Sequence, residues 1–589
     1  MRYLKMDRRL QTPDSGSNYN FQNKMTMGNT PRSLFDLSHL LTTTIPDVGS
    51  VIPIALFETL PNDSFELSVE ALLRVLPQTV PLYSRQRLSI HAFWSRMGDL
   101  HNEFNTFMTK GYTGDQILTL PRLGANNCAN RTAASYTDLI SMFIPAFGSY
   151  VLNSTFFSNV YVNALPFMMY QRIWRDYYMN KNFYINDRVL LPNVDDHFRL
   201  NTAGMLISAA ETGATSWDIT KLRYRDYADD YFTSAFPSPQ RGTAPTLDMT
   251  LTPIDLPDLF NVDGLIAANT GLLSSGIPTL GTPIYLKDSL ISGTPSNSFF
   301  TGNSTHPYSQ ATINAGRQTL VDVLNSAVAP FDDIHARSSI TLNNIRELAV
   351  AQSELEKMAK TDGSYADFGL TFFGRQSKNA VDYRPVYVGG TMQSINFSEV
   401  LQTTNTVETP LGAYAGHGIS YANNGYIGRL DCDDYGYLMV VCSVIPDTYY
   451  SQGLDRLWFR SLQSEMFLPD RARLGMREIL NKELYFSNNA ETDEDIFAYQ
   501  NPFDEYRYVP NRISGKIADP TNESFFAYTQ SREFNSTPSF SQSFATMQNN
   551  VRSDYLVAPT EVPYTAQFSI KCRAVRPLPY HPIPSNLGV

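Results

Sequence analysis

Three acidic clusters carry residue types that bind metal ions or transfer protons. Asp431, Asp433 and Asp434 flank Cys432 and offer carboxylates to a calcium ion. Their spacing differs from the ligand spacing of an EF-hand loop, so we predict a solvated acidic turn. The tripeptide at 195–197, Asp-Asp-His, suits metal coordination or an acid–base pair, but its position soon after a proline predicts the end of a loop.

The third acidic cluster is a charge run for which we expect a hydrated surface. Its members are Glu491, Asp493, Glu494 and Asp495. The eight histidines lie far apart, and none stands in an HExxH or HxH arrangement that would indicate zinc. The sequence also lacks GxSxG, Walker and GxGxxG motifs. It therefore predicts no catalytic site, no metal site and no cofactor, which argues against an enzyme.

Net charge argues against nucleic-acid binding through the whole surface. The chain has 46 basic and 57 acidic residues, a formal charge of −11. Contact with nucleic acid must come from local basic segments, and the first nine residues and the C-terminal strand are the candidates. The predicted contact residues are Arg2, Lys5, Arg8, Arg9, Lys571 and Arg573. The alternatives are charges that meet only water or, on the strand, a neighbouring subunit.

The elements that position these residues are mostly short strands. Residues 566–575 alternate apolar and polar side chains. If Phe568, Ile570 and Cys572 point into the core, the intervening Lys571 and Arg573 point outward. Residues 88–94 alternate as a half-buried strand does, and 437–444 form an apolar run suited to a buried strand. The clearest long helix is predicted at 341–360. Many short strands with Pro- and Gly-rich connections favour a β-sandwich or jelly roll over alternating α/β units.

A second helix is predicted at 165–182, LPFMMYQRIWRDYYMNKN. Phe167, Tyr170, Trp174 and Tyr177 recur at spacings of three and four, which places them on one stripe. A proline in the first turn suits a helix start. We predict core packing for the stripe, with polar side chains on the other face.

The order of residue types in this helix resembles the signature segment of the major capsid proteins of the Microviridae, and the gokushovirus group in particular. Other segments between about residues 31 and 580 resemble the same family in the same order. They are RSLFDLSHLL…LPND within 32–67, YFTSAFP at 231–237, RPVYVGG at 384–390, TPLG at 409–412, YSQGLDRLW at 450–458, LNKELY at 480–485, FAYQ at 497–500, EYRY at 505–508 and RPLP at 576–579.

This resemblance implies an eight-stranded antiparallel jelly-roll β-sandwich of the viral capsid type, with long inserted loops and a few helices. It implies a major capsid protein of a small bacteriophage, self-assembling into a T=1 icosahedral shell of about 60 copies around circular single-stranded DNA. The polar face of the second helix becomes a candidate subunit interface at Arg172, Arg175 and Asp176. Implied partners are the chain itself, the single-stranded DNA genome and a host surface receptor, and the acidic balance adds a small basic internal DNA-binding protein.

The resemblance also divides the chain into four parts. Residues 1–30 are expected to form an interior-facing N-terminal arm, 31–245 the first part of the jelly-roll core, and 331–589 the remainder with the C-terminal strand and tail. Residues 246–330 are rich in Gly, Ser, Thr, Pro and Asn and lack the family phrases. They lie where gokushovirus capsids carry a large insertion, so we expect a surface protrusion that contributes to host attachment. The alternative is a loop that only adds subunit contacts.

Targeting signals are not recognisable in the sequence. No apolar run follows the basic residues of the first fourteen positions, and no stretch approaches the roughly 20 apolar residues of a membrane span. The four scattered cysteines fit reduced thiols. We expect a virion protein assembled in the bacterial host cytoplasm. The competing class is a carbohydrate-binding or glycan-cleaving β-sandwich protein, suggested by the aromatic residues and acidic pairs.

Overall fold

The computed structural model describes most of the chain outside four long segments and several short ones. The described residues are 32–101, 103–115, 118–124, 131, 133, 135–184, 219–245, 342–361, 365–375, 384–398, 417–421, 425–473, 475–519, 521, 525 and 527–581. The predicted N-terminal arm and the 246–330 insertion lie outside them. By its contacts the chain divides into two compact units, Met1–Arg241 with Glu356–Val589, and Gly242–Leu355.

Twelve strands occur in the described part of the chain, in keeping with its β-branched and aromatic runs. They are β1 Ser33–Asp36, β2 His39–Ile45, β3 Ile52–Thr59, β4 Ser64–Val75, β5 Gln86–Arg96, β6 Val386–Ser398, β7 His417–Tyr421, β8 Tyr426–Asp431, β9 Gly436–Pro446, β10 Arg477–Leu480, β11 Ile496–Gln500 and β12 Tyr564–Arg576. Strands β10 and β11 form a small sheet of their own.

The other ten strands form two antiparallel groups that face each other across a core. One group has the order β3-β9-β5-β6, and the other has β2-β12-β4, with β7 and β8 both pairing with β4. The groups are continuous where the end of β6 pairs with β7, and β1 extends the edge along β12. With β1 and β2 counted as one interrupted strand along β12, and β7 and β8 as one along β4, this is an eight-stranded jelly roll. The predicted fold class is confirmed.

Strand β12 supplies the inner face of its sheet by simple alternation. Phe568, Ile570 and Cys572 are fully buried in the core between the two sheets, while Lys571 and Arg573 are exposed on the outer face. Its register with β4 is continuous from Tyr564 to Val575. The predicted alternation of 566–575 is therefore confirmed.

The group β3-β9-β5-β6 is covered on its outer face as well. All residues of β9 are buried, which confirms the predicted buried strand. In β5 the outward-facing Ser89 and Phe93 are buried too, so the predicted half-buried strand is wrong. The reason is a second apolar cluster, in which helical segments following β5 pack against Phe93, Met439 and Val441.

The turn between β3 and β4 places an asparagine in a left-handed backbone conformation. Asn62 has a φ of 72°, the left-handed region that Asn tolerates better than most residues. Asp63 closes the turn by accepting a hydrogen bond from the Leu60 backbone N–H at 2.8 Å. Arg576 of β12 donates to the same carboxylate at 3.1 Å, which ties the turn to the sheet.

Helices in the described residues are mostly short and lie in the connections. They are α1 Met97–Leu100, α2 Phe104–Thr109, α3 Leu139–Phe143, α4 Ser154–Asn159, α5 Leu165–Ile173, α6 Lys181–Tyr184, α7 Leu342–Ala359, α8 Tyr365–Phe373, α9 Arg456–Phe459, α10 Asn481–Leu484, α11 Ala490–Glu494 and α12 Gln542–Ala545. Short 3₁₀ turns occur at Pro145–Ser149, Gln463–Glu465, Pro469–Arg473, Asp504–Tyr506 and Gly515–Ala518. Helix α7 confirms the helix predicted at 341–360.

Candidate functional site

Helix α5 packs against the covered face of the β3-β9-β5-β6 group. Phe167, Tyr170 and Trp174 are buried, as predicted. The Tyr170 hydroxyl donates to the Val51 carbonyl at 2.7 Å, and the Trp174 indole N–H donates to the Tyr224 carbonyl at 2.6 Å. These bonds satisfy the polar tips of large buried rings, so the helix holds the 219–224 segment against the sheet.

A π-helical turn at Trp174–Tyr178 follows α5 and changes which aromatic ring is buried. The Met179 N–H donates to the Trp174 carbonyl five residues earlier, so one extra residue is accommodated in the turn. Tyr178 enters the apolar cluster, whereas Tyr177 is 41% exposed. The prediction that Tyr177 continues the buried stripe is wrong, because it assumed uninterrupted α-helical periodicity.

The polar side chains of this helix do not form an exposed face. Arg172 is 1% exposed, and its guanidinium donates to the Asp99 carbonyl at 2.6 Å. Arg175 pairs with Asp176 at 2.9 Å, and both side chains are largely buried. Helix α1 and the 219–223 segment of the same subunit cover this side of the helix. The three side chains are enclosed by their own subunit, which leaves Arg172 unsuited to a subunit contact.

Four of the family-like phrases meet in one polar cluster, which we call the loop anchor: Asp230, Tyr231, Tyr450, Arg456, Glu483 and Gln500. The Tyr231 hydroxyl donates to Glu483 at 2.9 Å and accepts from the Gln500 amide at 2.6 Å. The Tyr450 hydroxyl donates to Asp230 at 2.8 Å. Residues more than 200 positions apart are thus joined by side-chain hydrogen bonds, with an apolar cluster around them.

The charged centre of the loop anchor is the pair Arg456–Glu483. Their nitrogen and oxygen atoms are 3.6 Å apart, and both side chains are buried. Arg456 also donates to the Glu478 carbonyl at 2.8 Å, and Glu483 accepts from the Leu480 N–H at 3.1 Å. Burial raises the pKa of Glu483, and the nearby Arg456 opposes that rise. The pair is supported by neutral hydrogen-bond partners, as a buried ion pair requires.

Close backbone contact in the loop anchor explains the glycine of the 450–458 phrase. A Cβ at Gly453 would lie 2.0 Å from the Glu483 carbonyl oxygen. On either side, the Leu454 N–H donates to Lys482 at 2.8 Å and the Phe486 N–H donates to Gln452 at 2.9 Å. The 450–458 and 480–485 phrases therefore run directly along each other, and only glycine fits at the crossing.

The predicted acidic sites are structural where the structure describes them. Asp433 pairs with Arg96 at 2.7 Å, and the Ser64 hydroxyl donates to Asp431, which lowers the pKa of Asp431. In the run predicted as a hydrated surface, Glu491, Glu494 and Asp495 are exposed, which confirms the prediction for them. Asp493 is the exception, because it is buried and accepts from the Ser487 N–H and hydroxyl at 2.8 Å. Among the described residues no group of three or more His, Cys, Asp or Glu side chains suits a metal ion. The tripeptide at 195–197 lies outside them.

The predicted nucleic-acid residues are divided between two regions. Arg2, Lys5, Arg8 and Arg9 lie outside the described residues. Lys571 and Arg573 lie on the exposed face of β12, where the Lys571 ammonium is 2.6 Å from the Glu70 carboxylate. Arg573 is in register with Asp36 of β1. This face thus carries both signs of charge, and an exposed ion pair of this kind is weak enough for a phosphate to compete with it.

Two further observations concern the cysteines and the helices of the described residues. Cys432, Cys442 and Cys572 are free and buried. None of the helices in the described part is long and apolar enough to cross a membrane.

Sequence comparison finds that the model of the family described as capsid protein (F protein) matches residues 24–585. The chain belongs to this capsid protein family.

Individual relatives agree with the family assignment. Capsid protein VP1 of Chlamydia phage 1 is 24% identical, with 94% of this chain and 95% of the relative covered. Capsid protein VP1 of Bdellovibrio phage phiMH2K is 25% identical, covering 91% and 92%. Capsid protein VP1 of Spiroplasma virus 4 is 25% identical over 60% of each chain. The predicted family is confirmed: this is a gokushovirus-like major capsid protein, a structural component of the virion and not an enzyme.

We predict that the loop anchor makes a large contribution to the stability of the capsid subunit. Glu483→Gln should lower the free energy of unfolding by about 3 kcal/mol, because it leaves the buried Arg456 charge without its counter-ion. The matched control is Glu494→Gln, because Glu494 is exposed and its ion pair with Lys482 is long, at 3.9 Å. It should change stability by less than about 0.5 kcal/mol. Urea unfolding of unassembled subunits measures both, and equal effects would contradict the prediction.

We predict a pH-dependent contribution from His91, which stacks on Tyr178 and lies 2.7 Å from its hydroxyl. Burial, with a smaller effect of Arg225, lowers the pKa of His91 to about 4 from 6.5. The stability that neutral His91 contributes is complete above pH 6.5 and is lost as pH falls towards 4. Relative to the His91→Phe variant, the free energy of unfolding of the wild type should fall by on the order of 2–3 kcal/mol between pH 7 and 4. Urea unfolding of both proteins measures this, and a difference in their free energies of unfolding that stays constant over this pH range would contradict the prediction.

Proposed function

We propose that the chain self-assembles into a T=1 icosahedral shell of about 60 copies that encloses a circular single-stranded DNA genome. The observation that carries the proposal is the match of residues 24–585 to the capsid protein family, together with the complete jelly roll of the subunit. Family membership favours this function over the carbohydrate-binding or glycan-cleaving alternative. Assembly in the cytoplasm of a bacterial host belongs to the same proposal.

The mechanism we propose for assembly is geometric. The two facing sheets form a frame whose shape the core fixes, and the long connections supply contact area for neighbours. One connection runs from the end of β5 at Arg96 to the start of β6 at Val386, and another runs from Pro446 to Tyr564. The loop anchor holds parts of both connections together, at Tyr231 and Glu483. Such connections can provide the roughly 800 Å² per partner that a stable interface buries.

Genome contact is proposed for the basic residues of the two predicted regions: Arg2, Lys5, Arg8, Arg9, Lys571 and Arg573. The exposure of Lys571 and Arg573 on β12 supports the second region. Because the ammonium of Lys571 already faces Glu70, binding by this face alone would be weak. A small basic internal DNA-binding protein is therefore proposed as an additional partner, suited to a chain with a formal charge of −11.

Host attachment is proposed for residues 246–330, as an exposed protrusion that meets a host surface receptor. The composition of this segment, rich in small and polar residues with apolar runs between them, supports a surface loop that packs locally. The division of the chain into two compact units, one of them Gly242–Leu355, also supports the proposal.

We predict that purified protein incubated with circular single-stranded DNA forms closed particles that protect the DNA from nuclease. Negative-stain microscopy measures the particles, and recovered DNA measures the protection. The double variant Lys571→Gln, Arg573→Gln should form the same shells with less protected DNA, because it removes two cations from the outer face of β12. Lys516→Gln, an exposed lysine on a 3₁₀ turn, is the control and should protect as much DNA as wild type. Protein that remains monomeric under all these conditions would overturn the proposed assembly.

A deletion tests the proposed attachment role separately. Removal of residues 246–330 should leave particle yield and DNA protection unchanged and should abolish adsorption of particles to host cells. Adsorption is measured as the fraction of particles that sediment with cells. Deleted particles that adsorb normally would contradict the role in attachment. Failure of the deleted protein to assemble would instead assign the segment to subunit contacts.

A further inference from the structure

An apolar surface lies beside the loop anchor, on the connection between β9 and β12. Trp458 is 74% exposed and Leu462 is 62% exposed. The other exposed members of this surface, which we call the 457–509 patch, are Leu457, Met466, Phe467, Leu468, Tyr506, Tyr508 and Val509. Exposed single apolar residues are ordinary, but a concentration of them on two stretches of the chain that contact each other marks an interaction site.

The part of the patch around Phe467 and Tyr506 is held together by specific contacts and is therefore preformed. The Phe467 ring lies 6.2 Å from the Tyr506 ring and 5.2 Å from the Phe503 ring. The Arg460 guanidinium lies 4.6 Å over the Tyr506 ring and donates to its hydroxyl at 2.7 Å. Arg460 also pairs with Glu505 at 2.6 Å, with both side chains mostly buried. A preformed surface loses little conformational entropy when it binds.

The size of the patch matches part of a subunit interface. Its four aromatic side chains are exposed by about half to three quarters. At about 150–250 Å² for each ring they offer roughly 500 Å² in total, before the aliphatic residues are counted. The largest apolar patch of a typical monomer is about 300–600 Å², and a stable interface needs about 800 Å² from each partner. The aromatic residues alone therefore supply more than half of one interface.

The charges around the patch indicate which kind of partner it fits. Arg460 pairs with Glu505, Arg507 pairs with Asp504, and Arg512 contacts Asp455. Each of these arginines has its own carboxylate partner, so the rim offers little net positive charge to nucleic acid. It also offers little net negative charge to a basic protein. The same rim on a second copy of this chain is paired in the same way, so that copy meets neither obstacle at this surface.

We propose that the 457–509 patch is a subunit–subunit interface that a second copy of this chain covers, with Trp458 as its central contact. This inference rests on the proposed function and names one surface through which the shell is assembled. Tryptophan on an exposed, preformed apolar surface is the residue type that most often dominates binding energy at interfaces.

Tryptophan fluorescence of the full-length protein tests the contact directly. Trp94 and Trp174 are already buried in the subunit, and Trp217 lies outside the described residues. On assembly we expect the emission of wild type to shift to shorter wavelength and its quenching by acrylamide to fall. Trp458→Phe should form particles without that change, which assigns the signal to Trp458. If Trp458 is as accessible in particles as in subunits, or becomes protected when subunits bind DNA without forming particles, the proposed partner is wrong.

Charge substitutions test the energetic role of the patch. Trp458→Glu and Leu462→Glu should each raise the protein concentration needed for assembly by about tenfold or more. The matched control is Val557→Glu, which lies outside the patch with 61% exposure and should assemble like wild type. Circular dichroism and thermal unfolding of the unassembled variants establish that each still folds. If wild type forms no particles, the proposed function fails; if wild type and both patch variants assemble at equal concentrations, only this inference fails.

Discussion

The structure depends on one sheet being buried from both sides. Strand β9 is buried along its whole length, with the jelly-roll core on one face and the α5 cluster on the other. A sheet covered in this way needs a partner layer that its own strands cannot provide. The long connection after β5 provides it, and the π turn at Trp174–Tyr178 adjusts the last aromatic rings to the sheet. The segment that most resembles the capsid family is thus the covering layer of the frame.

The loop anchor extends this frame to the remaining connections. A buried ion pair such as Arg456–Glu483 offers little net stability compared with apolar packing, because both charges lose hydration. Its geometry is nevertheless specific: the Tyr231 hydroxyl and the Leu480 N–H donate to Glu483, and the Gln500 amide donates to Tyr231. Connections of more than one hundred residues need specific side-chain contacts of this kind to fix their position. The anchor places the 450–458 phrase, and the exposed aromatic surface beside it follows from that placement.

Local patterns in the sequence predict local features of this fold. Period-two alternation locates β12 and an apolar run locates β9, because both signals depend on neighbours in the chain. The order of the strands came from resemblance, since no spacing encodes which strands pair. The expected placement of side chains is wrong at Arg172 and at Tyr177. Arg172 is buried with its guanidinium donating to a backbone carbonyl, and Tyr177 is exposed because the π turn interrupts the α-helical period. The loop anchor was missed because its residues meet only in the folded chain, although each lies in or beside a phrase that the sequence singles out.

The charge of the chain favours apolar contact as the basis of the proposed assembly. Each copy carries a formal charge of −11, so a shell of such subunits accumulates negative charge and its subunits repel one another. Physiological salt screens this repulsion beyond about 8 Å but does not make it attractive. The ion pairs at Arg460, Arg507 and Arg512 are satisfied within the subunit, so they bring no attraction across an interface. In the proposed interface, burial of the aromatic surface around Trp458 supplies a favourable term that these ion pairs do not, and it acts only when two copies approach closely enough to exclude water.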